Sequence, residues 1–249
     1  MDLKLKGKTA FISGSTQGIG FAIAQQLLQE GASVTINGRQ KSKTEQSKQQ
    51  LQKQFPDSHI STISADFSKK DEVETLLQEL TDIDILINNV GVFEVEEFQN
   101  ITDEAWYNYF EINVMSGVRL SRKLLPLMQN KNWGRIIFIS SESGVNVPEN
   151  MIHYGMTKAA VSAVANGLSK LTKGTEITVN TILGGPTYSD GVAKVLEQIA
   201  EAQNLEVGQL KNVILQQSNS HILLQRFIHP SEIANLVSYI SSPLSIATN

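Results

Sequence analysis

The chain has 249 residues, 41% hydrophobic content and a formal net charge of −4 from 21 basic and 25 acidic side chains. That is enough apolar material for one full core, with no basic footprint for nucleic acid or anionic lipid. Cysteine is absent, which excludes disulfides, thiolate metal sites and cysteine nucleophiles, and His59, His153, His221 and His229 lack metal-ligand spacing, so no metal is expected. The charged opening residues Met1 to Lys8 lead straight into an apolar run, the wrong order and length for a signal peptide. No stretch approaches the ~18 unbroken apolar residues of a membrane span, so a cytoplasmic location is expected.

In chain order, short β-rich runs at 9–13, 33–36, 59–64, 83–88, 135–140 and 177–182 alternate with amphipathic helical stretches at 19–30, 41–55, 70–80, 103–130 and 153–172. This βαβ rhythm, without hairpin turns, predicts an α/β fold: a doubly wound parallel sheet in three layers, one domain over 1–249. Runs such as Ile83-Asp84-Ile85-Leu86-Ile87 and Ile136-Ile137-Phe138-Ile139 are almost continuously apolar, as central strands buried on both faces must be. The segment 188–221, helical in character with few strong core signals, reads as an insertion suited to a substrate lid. Pro230-Ser231-Glu232 opens a further helix to about Ser241.

The first strand runs into Gly14-Ser15-Thr16-Gln17-Gly18-Ile19-Gly20, where a helix begins. Glycines there permit unusual φ and close backbone approach, and a helix N-terminus favours phosphate, so the turn suits a dinucleotide. At the end of the second strand, Asn37-Gly38-Arg39 offers no carboxylate to repel a 2′-phosphate and a planar cation to bind one, which favours NADP(H) over NAD(H). Asp66 and Phe67 after the third strand, and Asn88-Asn89-Val90-Gly91 after the fourth, fall at the carboxyl edge where open α/β sheets bind ligands. Asp66 is equally suited to cap the helix that follows.

Tyr154 and Lys158 are four residues apart, on one helical face and about 6 Å apart along the axis. A neighbouring ammonium stabilises phenolate and is expected to bring the Tyr154 pKa down from its ordinary ~10 toward the working range. Ser141, closing the fifth strand, is placed to donate to a substrate oxygen.

Taken together, these residues resemble the short-chain dehydrogenase/reductase family over almost the whole chain, with the glycine turn, Asp66, Asn88 to Gly91, Asn113, Ser141, Tyr154 and Lys158 in order and at family spacing. The resemblance implies a Rossmann-like fold and an oxidoreductase acting on a small-molecule carbonyl or alcohol, with Tyr154 as proton donor in reduction, Ser141 steadying the oxygen and Lys158 holding the nicotinamide ribose. It implies that Asn113 interrupts its helix and helps hold a relay water, and that Thr187 contacts the nicotinamide carboxamide. Gly14, Ser15, Thr16, Gly18, Ile19, Gly20, Arg39, Asp66, Phe67, Asn89 and Gly91 complete the expected cofactor site. Ser13, Val90 and Gly184 depart from the family's threonine, alanine and proline. The family's seventh strand has no counterpart after the helix ending near Ser241, so the sixth strand is expected at the sheet edge. The family commonly forms homo-oligomers, a dimer or tetramer, here through 103–130 and 153–172. The alternative reading is a catalytically silent nucleotide-binding sensor or scaffold on the same fold.

Overall fold

The computed structural model describes residues 1–217 and 222–249. Strands β1 (Thr9–Ile12), β2 (Ser33–Gly38), β3 (Ile60–Ser64), β4 (Ile85–Asn88), β5 (Trp133–Ser141) and β6 (Glu176–Gly184) form one parallel sheet in the order β3-β2-β1-β4-β5-β6. Around it lie α1 (Gly18–Gln29), α2 (Lys41–Gln54), α3 (Lys70–Glu79), α4 (Asp103–Phe110), α5 (Ser116–Lys131), α6 (Ile152–Lys170), α7 (Asp190–Gln203), α8 (Val207–Gln217) and α9 (Pro230–Ser241). The three-layer, doubly wound reading holds. Among the described residues no helix is long and apolar enough to cross a membrane, and no cluster of three or more His, Asp or Glu is arranged to hold a metal.

Strand periodicity sorts the core into its two layers. Ala10, Ile12, Val34, Ile36, Ile85, Ile87, Ile137 and Ile139 pack against Ile23, Ala24 and Leu27 of α1 and Ile233 and Val237 of α9. Their neighbours Phe11, Leu86, Ile136 and Phe138 face the other way, onto Val73 and Leu76 of α3, Leu120, Leu124 and Met128 of α5 and Val161 and Ala165 of α6. Because both faces are covered, alternation is invisible in the hydropathy of β4 and β5, which read as unbroken apolar runs.

Two predicted elements differ from those observed. The long helix expected over 103–130 is broken: α4 ends at Phe110, a π-helical turn spans Glu111–Met115, and α5 resumes at Ser116. Residues 188–221 carry two helices, α7 and α8, whose Leu196, Ala200, Leu210 and Leu215 form a small cluster with Phe227 apart from the main core. His221, the last residue of that segment, lies outside the described residues. As expected, β6 is the sheet's edge, but not a bare one. Val179 N donates to Asn249 Oδ1 at 2.9 Å and Asn180 Nδ2 to the Thr248 carbonyl at 2.7 Å, so terminal residues occupy part of that edge.

Arg135 is the exception inside the sheet. It is fully buried on the α9 side of β5, donating from Nε and Nη2 to the Ser242 carbonyl that caps α9 and from Nη1 to the Gly134 and Glu176 carbonyls. Burial without a carboxylate partner brings its pKa down to about 10. Its donors join the carbonyl at the end of α9, which also accepts from Ser245, to carbonyls of two strands.

Candidate active site

The sheet order reverses between β1 and β4, and a crevice at the carboxyl ends of strands follows from that reversal. The registers Ile12↔Ile87 and Ser141↔Gly184 bring Ser13, Asn88, Ser141 and Gly184 to this one edge.

The glycine turn is built by its neighbours. Gly14 and Gly18 have φ of +62° and +59°, the left-handed region that other residues enter at a cost. A Cβ on Gly20 would lie 2.4 Å from the Gly14 carbonyl and 2.6 Å from Asn89 Nδ2, so only hydrogen fits. Asn37, buried at the end of β2, accepts from Gly14 N through Oδ1 at 3.0 Å, and its carbonyl accepts from Ser15 N at 2.8 Å. Asn89 Nδ2 donates to the Ser13 and Gly14 carbonyls at 3.0 and 2.8 Å, and Ser13 Oγ accepts from Asn89 N and Val90 N at 3.0 Å each. The Asn89 amide is therefore spent on the shape of the turn. Asn37 was missed from the sequence; the signal it offered was a carboxamide in the otherwise apolar second strand.

Helix α7 sits on this turn. Asp190 Oδ2 accepts from Gly18 N at 2.8 Å, and Ser189 Oγ caps α7 by accepting from Val192 N. A carboxylate thus stands against an amide at the N-terminus of α1, where anions are favoured. Thr187, buried beside it, donates from Oγ1 to the Gly185 carbonyl and bridges to Ile228. Arg39 is exposed at the far end of the crevice, with Thr16 against Gly38, where a Cβ would meet Thr16 Cγ2 at 2.5 Å. Asp66 Oδ1 accepts from Ser68 N and Oγ at 3.0 and 2.8 Å, a local turn ahead of α3 rather than a cap on it, because α3 begins at Lys70 with Lys69 before it. Burial raises the Asp66 pKa, but the Ser68 bonds and the Arg39 charge outweigh that and hold it below the ordinary value. The Phe67 side chain is buried in the core, so only its backbone reaches this edge.

At the other end, Tyr154 is hydrogen-bonded to Ser141, and Lys158 Nζ lies 5.5 Å from the centroid of the Tyr154 ring. Lys158 is buried and donates to the Ile139 carbonyl at 3.0 Å. Ser140, the residue before Ser141, donates to the Lys158 carbonyl at 2.8 Å and so pins α6 to β5. Asn113 lies in the π-turn, where the interrupted helix turns its side chain onto the loop after β4. Its Oδ1 accepts from Val92 N at 2.8 Å and its Nδ2 donates to the Val92 carbonyl and to Thr157 Oγ1, both at 3.0 Å. A Cβ on Gly91 would stand 3.4 Å from Lys158 Nζ and 3.5 Å from Asn113 Oδ1. The four polar residues Asn113, Ser141, Tyr154 and Lys158 thus meet at one point from three separate segments, the π-turn, β5 and α6.

The expected downward shift of Tyr154 is not what the environment produces. Burial of the phenol raises its pKa and the Glu142 charge adds to that, while the Ser141 hydrogen bond only partly opposes them. Lys158, itself desolvated, has its pKa lowered to about 8. His153, which precedes Tyr154, is 1% exposed, with its ring 4.1 Å from that of Tyr109 and 6.0 Å from that of Trp106. Its buried Nδ1 has no partner among the described residues.

The sequence profile of the short chain dehydrogenase family matches residues 8–200. The chain belongs to the short-chain dehydrogenase/reductase family. The oxidoreductases YvrD and YvaG of Bacillus subtilis are 42% and 40% identical over this whole chain, which covers 95% and 94% of their lengths. A solved structure of L-sorbose reductase from Gluconobacter frateurii, complexed with NADPH and L-sorbose, superposes with a TM-score of 0.92 at 27% identity, covering 100% of this chain and 94% of that one. For this family member the fold and the oxidoreductase class are therefore established, and the crevice between β1 and β4 is where its chemistry is to be sought.

Proposed function

We propose that the protein is an NADP(H)-dependent oxidoreductase that interconverts a carbonyl and a secondary alcohol, with Tyr154 as general acid and base. The observation that carries this reading is the convergence of Ser141, Tyr154, the buried Lys158 cation and Asn113 at the end of a crevice whose other end is the glycine turn. The crevice fits a dinucleotide on its own geometry. Gly20 and Gly38 keep the turn clear where a Cβ would collide with Gly14, Asn89 and Thr16, the left-handed Gly14 and Gly18 shape the turn at the N-terminus of α1, and Arg39 stands exposed at the end of β2, within reach of the Asp66 charge. That sorbose reductase binds NADPH on the same fold supports the NADP(H) preference.

When bound, the nicotinamide supplies or accepts the hydride. The chain's own residues handle the oxygen and its proton. Ser141 and Tyr154 converge on one position, so both hydroxyls reach a substrate oxygen placed there. Because burial keeps the Tyr154 phenol protonated across neutral pH, the residue is poised as an acid, and negative charge developing on a carbonyl oxygen provides the base to take that proton. The Lys158 cation lies on the side of the ring where it stabilises the phenolate left behind. Asn113, fixed by Val92 and Thr157, sets the loop that bears Gly91 close to Lys158. Residues 188–217, the described part of the 188–221 segment and moored to the glycine turn through Asp190, serve as a lid over this crevice.

The test is a panel of ketones and aldehydes assayed with NADPH and NADH in parallel. NADPH oxidation that depends on the carbonyl compound, with weaker or no NADH oxidation, is expected. In Arg39→Ala the Kd for NADPH should rise about tenfold while that for NADH stays within about twofold, as loss of one charge-assisted contact requires. Equal use of both nucleotides by the unaltered protein would remove the NADP(H) preference. Nucleotide binding without turnover on any carbonyl would support the silent-sensor reading.

A further inference from the structure

We propose that this site selects a carbonyl or alcohol compound that carries no negative charge near its reacting carbon and has an apolar body. The inference rests on the oxidoreductase reading above and adds the charge of its substrate.

The two stretches that frame Tyr154, 89–104 and 141–153, contain seven carboxylates and no Lys or Arg, in a chain whose total net charge is only −4. Their placement follows from contacts at the site. The Phe93 ring stands edge-on to the Tyr154 ring at 6.3 Å, and the charges of Glu94 and Glu96 act on His153, the residue before Tyr154. Glu96 N donates to the Asn150 carbonyl at 2.9 Å, joining the first stretch to the second. Between them opens a cleft of about 600 Å³ lined by Glu96, Glu97 and Glu149 together with Val95 and Phe98. Glu142 directly follows Ser141 and is one of the charges acting on the Tyr154 phenol.

Among the described residues Glu94, Glu96, Glu97 and Glu149 make no ion pair. The polar contacts that Glu96 and Glu97 do make, with the Glu97 amide, Asn100 and Gln99, leave their charge in place. The Lys158 cation is buried and directed at the Ile139 carbonyl. Apolar side chains share the same rim. Phe93, Val95, Val145 and Val147 are exposed, and Val147 Cγ1 would lie 2.6 Å from a Cβ on Gly155, next to Tyr154. An anion approaching Tyr154 meets the charge of Glu94, Glu96, Glu97 and Glu149, which no ion pair among the described residues offsets, whereas an uncharged molecule buries its body against those side chains.

Two measurements test this. First, ethyl acetoacetate and acetoacetate, the same β-keto frame without and with a carboxylate, are reduced by the enzyme with saturating NADPH at low and high salt. The ester should have the higher kcat/KM by about tenfold or more at low salt, and the ratio should shrink severalfold at ~0.5 M salt as the rim is screened. The triple variant Glu94→Gln, Glu96→Gln, Glu97→Gln should narrow the low-salt ratio. A ratio near one at low salt, or one indifferent to salt and to the variant, would overturn the proposal.

Second, Trp106, which packs against Phe98 and His153, reports the local field without any turnover. In a Trp133→Phe background, or as the quenching lost in Trp106→Phe, caesium should quench more effectively than iodide, each scaled to its action on free tryptophan amide. The triple variant should bring the two together. Iodide matching or exceeding caesium would overturn the inference. If neither ketone is reduced, the reaction reading is struck on that pair, while the quenching ratio still decides the charge of the rim.

Discussion

At the scale of single residues, Lys158 shows how function is placed against stability. Its ammonium is buried with one carbonyl acceptor, and desolvation brings its pKa to about 8 from an ordinary value near 10.5. A lowered pKa means that the unfolded chain holds the proton more tightly between those two values. The cost to the fold is therefore full below pH ~8 and fades as pH rises toward ~10.5. Lys158→Met should raise the stability of the cofactor-free protein at pH 7 by about 1–2 kcal/mol while abolishing turnover, and the gain should vanish above pH ~10. Thermal melts across pH check both statements. His153 has the same sign of shift in a different window. Burial holds its pKa below the ordinary 6.5, against the opposing Glu94 and Glu96 charges. Stability should be complete above pH ~6.5 and fall as the pH drops below that, when the unfolded chain takes up a proton that the folded one resists. His153→Phe should flatten this acid limb in chemical denaturation between pH 5 and 7.

At the scale of elements, the strands and most helices were legible because their signal is the alternation of short β-branched runs with amphipathic stretches. The observed bounds of β1, β3, α2 and α3 differ from the predicted ones by a residue or less at each end. The π-turn at 111–115 was legible only through the family resemblance at Asn113, since hydropathy continues smoothly through it, and its tertiary partners, Val92 and Thr157, reveal why the helix yields there. The mooring of α7 was not legible. Asp190 reads as an ordinary first-turn acid, and its bond to Gly18 N joins residues 172 positions apart. Asp190→Ala should speed amide hydrogen exchange in α7 and at Gly18 by tenfold or more while leaving the rest of α1 and the sheet unchanged, because it removes a charge-assisted bond between the two elements. Exchange at α7 equal to that of the parent would mean that its apolar cluster alone holds it.

At the scale of the whole molecule, the sheet order brings together residues that the sequence presents as separate signals. Gly14, Asn113, Ser141, Tyr154 and Lys158 span 145 positions and meet because β1, β4 and β5 are adjacent and parallel, so their carboxyl ends share one edge. The identity of these residues was readable; the field around them was not. The sequence suggested that Lys158 would pull the Tyr154 pKa down, yet burial and Glu142 push it up, a balance fixed only by the assembled site. The same assembly makes the central claim testable at a single oxygen atom. Tyr154→Phe removes the phenol hydroxyl and keeps the ring against Phe93. Carbonyl-dependent NADPH oxidation by this variant, measured beside an NADPH binding titration, should fall about 10³-fold or more with Kd changed less than about threefold. Turnover near the parent rate with binding intact would contradict the assignment of Tyr154 as the acid.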